Sequence, residues 1–150
     1  MHIAASPETA NLARAFALSE WKKALPHTLE AMGDSERILV AGYAEWIMGT
    51  SGNRSDMGYY FVTTQGLRFG VKEKSGLLSK TYRDEFVSRA AIAGVRPDYM
   101  RAMDVVGHDG NALAVMVFAS SGFQHAGDEG ARRAAVEQMS NVAAALGHPI

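Results

Sequence analysis

The hydrophobic and polar positions change period twice along the chain, from helical to alternating and back to helical. Over residues 7–32, apolar side chains recur at helical spacing, with Phe16 and Trp21 among them and charged residues on the other side. Pro26 interrupts this pattern, because proline breaks helical hydrogen bonding. The sequence therefore predicts a bent or broken helical extension over residues 1–33, with Phe16 and Trp21 on a packing or oligomer face.

Between Arg37 and Ser120 there are seven apolar stretches separated by turn residues. Alternation of apolar and polar residues predicts half-buried strands. Gly42 predicts a bend in the first strand, Pro97 predicts the end of ladder pairing, and Asp109-Gly110 predicts a two-residue hairpin loop. The predicted strands cover residues 37–48, 57–63, 67–73, 79–87, 91–96, 100–106 and 112–119.

The chain ends in a predicted amphipathic helix over residues 128–146. Asp128 is a good N-cap, and Gly147 is typical of a helix end. The last strand, apolar on both faces, is expected in the interior of the sheet. These elements predict one mainly β domain with a C-terminal helix over residues 34–150, preceded by the helical extension.

Composition excludes some functions and favours none strongly. The formal charge of −1 gives no general attraction to nucleic acids or anionic membranes, so no specific nucleic-acid partner is expected. Cysteine is absent, which excludes disulfides and thiolate metal sites. With no predicted signal peptide and no transmembrane segment, a cytoplasmic location is expected.

Side chains that could carry out chemistry do not form a recognisable group in the sequence. The five histidines are scattered and lack the spacing of a helical metal site. Asp84 and Glu85 are adjacent on a predicted strand, so they point to opposite faces and cannot act together on one bond. We therefore expect no catalytic residues, no metal and no cofactor, and predict that the chain is not an enzyme.

The best candidate for a binding surface is a basic group on the third and fourth predicted strands. It consists of Arg68, Lys72, Lys74, Lys80 and Arg83. The alternative is the solvent-facing side of an edge hairpin, where lysine also discourages strand addition by other chains.

Three segments resemble bacterial PH-like domains of the YokE-like type. Asp34–Val40 has the acidic-then-apolar entry, Gly58–Phe69 is similar to that family's hairpin, and Phe86-Val87 with Ile92 and Val95 looks like its later strand signals. The resemblance extends over residues 34–146. It implies seven strands in two packed antiparallel sheets that form a partly open barrel capped by the C-terminal helix.

Two functions from different classes follow. The favoured one is a non-catalytic interaction module that engages a protein partner or its own copy, as an oligomer, through a sheet edge, the basic hairpin or the N-terminal helix. The alternative is a small-molecule or lipid carrier with a helix-grip-like cavity. A helix-grip chain usually begins with a strand, whereas this chain begins with predicted helices.

Phosphoinositide binding is not expected, despite the PH-like resemblance. Signalling PH domains concentrate several cations around the loop between their first two strands, because clustered phosphates need several charges. Here the corresponding loop, Gly49–Asp56, carries one cation, Arg54, together with the carboxylate of Asp56.

Overall fold

A computed structural model describes residues 32, 36–48, 55–74, 80–98, 102–118 and 129–150. This part of the chain is mainly β, as the sequence predicts, and each strand boundary lies within two residues of its predicted position. A single 3₁₀ turn, Arg89–Ala91, which the sequence pattern does not indicate, joins the fourth and fifth strands. The elements are β1 (Ile38–Met48), β2 (Ser55–Thr63), β3 (Gly66–Lys74), β4 (Lys80–Ser88), β5 (Ile92–Asp98), β6 (Ala102–Gly107), β7 (Ala112–Val117) and α1 (Glu129–Ala145).

The seven described strands form one antiparallel sheet in the order β4-β3-β2-β1-β7-β6-β5. This differs from the expected two packed sheets of a partly open barrel. The long central strand β1 pairs with β2 over most of its length and with β7 through Glu45–Met48, which makes the sheet continuous. The sheet stays open, with β4 and β5 at its two edges. As predicted, β7 lies in the interior of the strand order.

The core lies between one face of this sheet, the inner face, and α1. Trp46 and Phe69 stack with ring centroids 4.3 Å apart, and both are fully buried. The helix contributes one apolar stripe at three- and four-residue spacing: Ala135, Met139, Val142, Ala143 and Leu146. Burying each large apolar side chain stabilises the fold by about 1.5–3 kcal/mol, so this layer holds the helix on the sheet.

Packing accounts for the glycine at position 42 of β1. It pairs with Tyr60 across the β1–β2 ladder. An ideal Cβ at Gly42 would lie 2.6 Å from Cζ of Tyr60, closer than real contacts allow. The glycine therefore makes room for a buried tyrosine ring, and burial raises the pKa of that phenol well above its ordinary value.

Two local predictions are wrong. Pro97 does not end pairing, because it is opposite Met103 and β5 continues to Asp98. An edge strand tolerates proline, since one side of its backbone has no ladder to complete. The β6–β7 loop is longer than two residues: the amide of Gly107 donates to the carbonyl of Asn111, 2.8 Å away.

Arg89 joins three parts of the described structure. Its Nη2 donates to the carbonyls of Thr63 and Ala145, both at 2.8 Å, and its Nε donates to the carbonyl of Thr64 at 3.3 Å. The Ala145 carbonyl belongs to the last turn of α1, where carbonyls lack helical partners and carry partial negative charge. One guanidinium thus ties the β2–β3 turn, the 3₁₀ turn and the end of the helix together.

The end of α1 is closed by the residues that follow it. The amide of His148 donates to the carbonyl of Ala143 at 2.9 Å, and Gly147 donates to Ala144 at 3.0 Å. Gly147 has φ +88°, a conformation that glycine adopts without a Cβ penalty, as the predicted helix end requires.

The predicted N-terminal helical extension lies outside the described residues, apart from Met32, which is buried. The predicted N-cap, Asp128, also lies outside them. Among the elements that are described, no helix is long and apolar enough to cross a lipid bilayer.

Candidate functional site

Two surfaces are candidates for a binding site. One is the predicted basic hairpin of β3 and β4, and the other is a cleft beside β5 that the sequence did not indicate. The β3–β4 register pairs Lys72 with Tyr82 and Lys74 with Lys80. Together with Arg68, these positions fall on one face of the hairpin, because every second position of a strand belongs to the same face. Arg83 is opposite Val71, so its position falls on the other face. The backbone therefore brings together four of the five predicted positions; only for Arg68 is the side chain also described.

Arg68 is engaged within the fold. Its Nε lies 2.8 Å from Oε2 of Glu36, and its Nη2 lies 2.9 Å from Oε1, which makes a two-pronged ion pair. Its Cζ lies 4.3 Å from the centroid of the Phe86 ring, within cation–π range. Because the side chain of Glu36 is only 2 % exposed, Arg68 supplies polar contacts that water barely provides there. Arg68 therefore has a structural role, whether or not the basic group also binds a partner.

Phe16 and Trp21, the predicted packing or oligomer face, lie outside the described residues. Their burial stays a prediction.

The second surface is a cleft of about 270 Å³ between the end of β5 and α1. Pro97 and Asp98 form its β5 side, and the C-terminal Ile150 contributes from the end of the chain. The helix contributes Val136, Met139 and Ser140. The lining is predominantly apolar, with Asp98 and Ser140 as its polar residues.

Two of these residues are unusually exposed for their type. Val136 is 44 % exposed and Ile150 is 55 % exposed. Val136 lies just outside the buried stripe of α1, at a helix position where a polar residue would be ordinary. The sequence could have pointed to the cleft only through Val136, an apolar residue beside the predicted stripe. Its position next to the edge strand β5 becomes visible only in the folded chain.

The inner face bears on the alternative of a carrier. The space between the sheet and α1 is occupied by fully buried aromatic and methionine side chains: Trp46, Tyr60, Phe69, Met103, Met116 and Phe118. A carrier with a helix-grip cavity needs this space for its ligand. The described core therefore offers no support for such a cavity.

His108 and Asp109, in the β6–β7 loop, make hydrogen bonds within the fold. Nε2 of His108 lies 2.8 Å from the carbonyl of Ala90; since a carbonyl only accepts, the imidazole donates. Asp109 accepts from the amide of Asn111 at 3.0 Å, which lowers the pKa of its carboxyl. In the described ranges no three histidine, aspartate or glutamate side chains are grouped to hold a metal ion.

Comparison with known proteins adds one structural likeness. No family model matches the chain, and no curated protein is similar to it. The chain is similar to the C-terminal domain of an unknown protein from Leishmania infantum, at 16 % sequence identity and a TM-score of 0.41. The match covers 82 % of this chain and 94 % of that domain. A likeness of this size assigns neither a family nor a function.

Proposed function

We propose that this chain is a non-catalytic protein-interaction module with a PH-like fold, and that it holds an extended segment of a partner along β5. The observation that carries this proposal is the apolar cleft beside an edge strand. An extended peptide can add to a free strand edge through its backbone, while a neighbouring pocket takes one of its side chains.

The position of β5 supports strand addition. In the described sheet β5 pairs with β6 alone, so its other side faces away from the ladder. Pro97 lacks an amide donor, and this limits how far a partner strand can pair along β5. The cleft begins at Pro97, where it offers apolar contacts in place of the missing donor.

The size of the cleft favours a partner side chain over a free ligand. Small-molecule sites usually enclose about 300–1,000 Å³ and bury most of their ligand. At about 270 Å³ the cleft lies just below that range, and it is open to solvent. Together with the filled inner face, this makes the carrier the weaker alternative.

The PH-like part of the proposal is supported by the order of the elements. Seven antiparallel strands followed by a C-terminal helix are what the resemblance of residues 34–146 implies. In this proposal the module acts without a cofactor, and its partner is a protein or a second copy of the chain. A bacterial, cytoplasmic origin belongs to the same proposal.

Selection of displayed random peptides on the intact chain tests the proposed function. We expect enriched sequences with an extended stretch and a recurring apolar residue. Their affinity should fall at least tenfold with Val136→Arg, because the guanidinium would occupy the cleft; tenfold corresponds to about 1.4 kcal/mol.

Ala134→Arg is the matched control. Ala134 is also exposed on α1, but two residues turn the helix by roughly 200°, so it faces away from Val136. Affinity should be unchanged in this variant. If the selected peptides bind the Val136→Arg chain as well as the unmodified chain, the cleft is not the site.

A further inference from the structure

The face of the sheet opposite the core, here called the outer face, carries a row of paired side chains. Ala41, Phe61, Arg68 and Phe86 are cross-strand partners from β1 to β4. The neighbours of Phe61 in β2, Tyr60 and Val62, belong to the core cluster. Because side chains alternate along a strand, Phe61 points to the outer face.

This outer face is nevertheless shielded from water at its centre. Phe61 is 0 % exposed, Ala41 is 5 % exposed, and Tyr59, two residues from Phe61, is 6 % exposed. Neighbours within one sheet layer cover the sides of an aromatic ring but leave its top in solvent. Full burial of Phe61 requires a second layer, and α1 cannot supply it because α1 packs on the inner face.

The chain before β1 leads to this face. Glu36 reaches Arg68 in the row that contains Phe61, at 2.8 Å, so the residues before β1 start from the outer face. Met32, which immediately follows the remaining 31 residues, is itself 7 % exposed. The sequence of residues 7–32 has the apolar side that a covering layer needs, including Phe16 and Trp21.

We propose that residues 7–32 dock on the outer face of their own chain, with the apolar side around Phe16 and Trp21 packed over Phe61 and Tyr59. The occupant is this segment and not a second copy, because Glu36 brings the chain onto the outer face and Met32, four residues earlier, is already buried within a single chain. The outer face is then an internal interface, separate from the cleft at β5, and the proposal does not depend on that cleft.

A double-mutant cycle on the full chain tests the contact. Trp21→Ala and Phe61→Leu should lower the melting temperature by less together than the sum of their separate effects, since each removes one side of the same contact. Phe69→Leu is the matched control: Phe69 is also 0 % exposed but belongs to the inner-face core. Its effect should simply add to that of Trp21→Ala.

The same cycle is repeated at a hundredfold lower protein concentration. Coupling that persists supports docking within one chain. Coupling that disappears on dilution assigns the cover to a second copy and overturns the proposal, as does simple additivity of Trp21→Ala and Phe61→Leu.

Brief digestion of the unmodified chain with chymotrypsin tests the proposal without any variant. Docking protects the bonds after Phe16 and Trp21, so they should be cut no faster than sites within the sheet. Rapid cleavage after these residues while the sheet stays intact would contradict the proposal.

Discussion

At the residue scale, Arg68, which the sequence predicts as part of a basic binding surface, makes an ion pair within the fold. The alternating cations of β3 predict a solvent-facing basic surface, yet Arg68 neutralises a carboxylate 32 residues earlier in the chain. Removing one partner of a buried pair leaves the other without compensation, which costs about 3–5 kcal/mol. Replacing both partners by apolar residues avoids this cost.

We therefore expect Glu36→Ala to lower the free energy of unfolding by about 3 kcal/mol in urea denaturation. Glu36→Leu combined with Arg68→Met should cost clearly less. The control is Asp104→Ala, which breaks the Arg96–Asp104 pair, where the Arg96 side chain is 60 % exposed. An exposed pair contributes about 0–1 kcal/mol, so equal losses for Glu36→Ala and Asp104→Ala would contradict the structural role of Glu36.

Gly42 gives a second prediction for a single residue. Gly42→Ala places a methyl group against the ring of Tyr60, and overpacking of this kind costs about 1–3 kcal/mol. Gly94→Ala is the control, because a Cβ there meets no atom within 4 Å and the stability should barely change. Thermal unfolding measures both. In the Gly42→Ala chain, Tyr60→Leu should cost less than it does in the unmodified chain; strict additivity would show that the two positions do not clash.

At the scale of elements, Arg89 connects segments that are far apart in sequence. Arg89→Met removes donors from the carbonyls of Thr63 and Ala145, and we expect a loss of about 2–4 kcal/mol. Amide exchange in the last turn of α1 should accelerate more than exchange in β1. Arg89→Lys keeps the charge but not the forked geometry, so it should recover only part of the loss.

Arg96→Met serves as the control for Arg89→Met, since Arg96 is a highly exposed arginine of β5. It should change neither stability nor exchange appreciably. If both arginine variants behave alike, Arg89 does not hold the end of the helix.

Most elements could be predicted from the sequence, because strands and helices are recorded in local periodicity. Apolar and polar residues alternate around Val71, which predicts β3. Met139 and Val142 recur at helical spacing, which predicts α1. The role of Arg89 could not be predicted, since its bond to Ala145 spans 56 residues and leaves no local pattern. The cleft was missed for the same reason: β5 and α1 meet only in the folded chain.

At the scale of the whole molecule, the filled core and the apolar cleft lie side by side and share Met139. The inner face and α1 are joined by a filled core, while the edge strand β5 borders an apolar cleft. The cleft that we propose as the binding site also includes residues outside that core, such as the exposed Val136. Substitutions such as Val136→Arg should affect partner binding without the large stability losses expected at Glu36, Gly42 or Arg89.

The distribution of positive charge over the domain argues against phosphoinositide binding, which we predict to be absent. Clustered phosphates need several converging cations. The sequence between β1 and β2 supplies Arg54 as its one cation, with Asp56 following two residues later, and Arg68 is paired with Glu36. The other basic positions of β3 and β4 can give at most a weak attraction to anionic lipid, which salt screens.

Sedimentation with liposomes at near-physiological salt measures this directly. The chain should remain in the supernatant with phosphoinositide liposomes, as it should with liposomes of phosphatidylserine at the same total charge. At low salt, weak binding to both should appear and should not distinguish the headgroups, because screening and not recognition controls it. Firm binding that selects phosphoinositides and is lost in an Arg54→Ala chain would show that the β1–β2 loop recognises the headgroup after all.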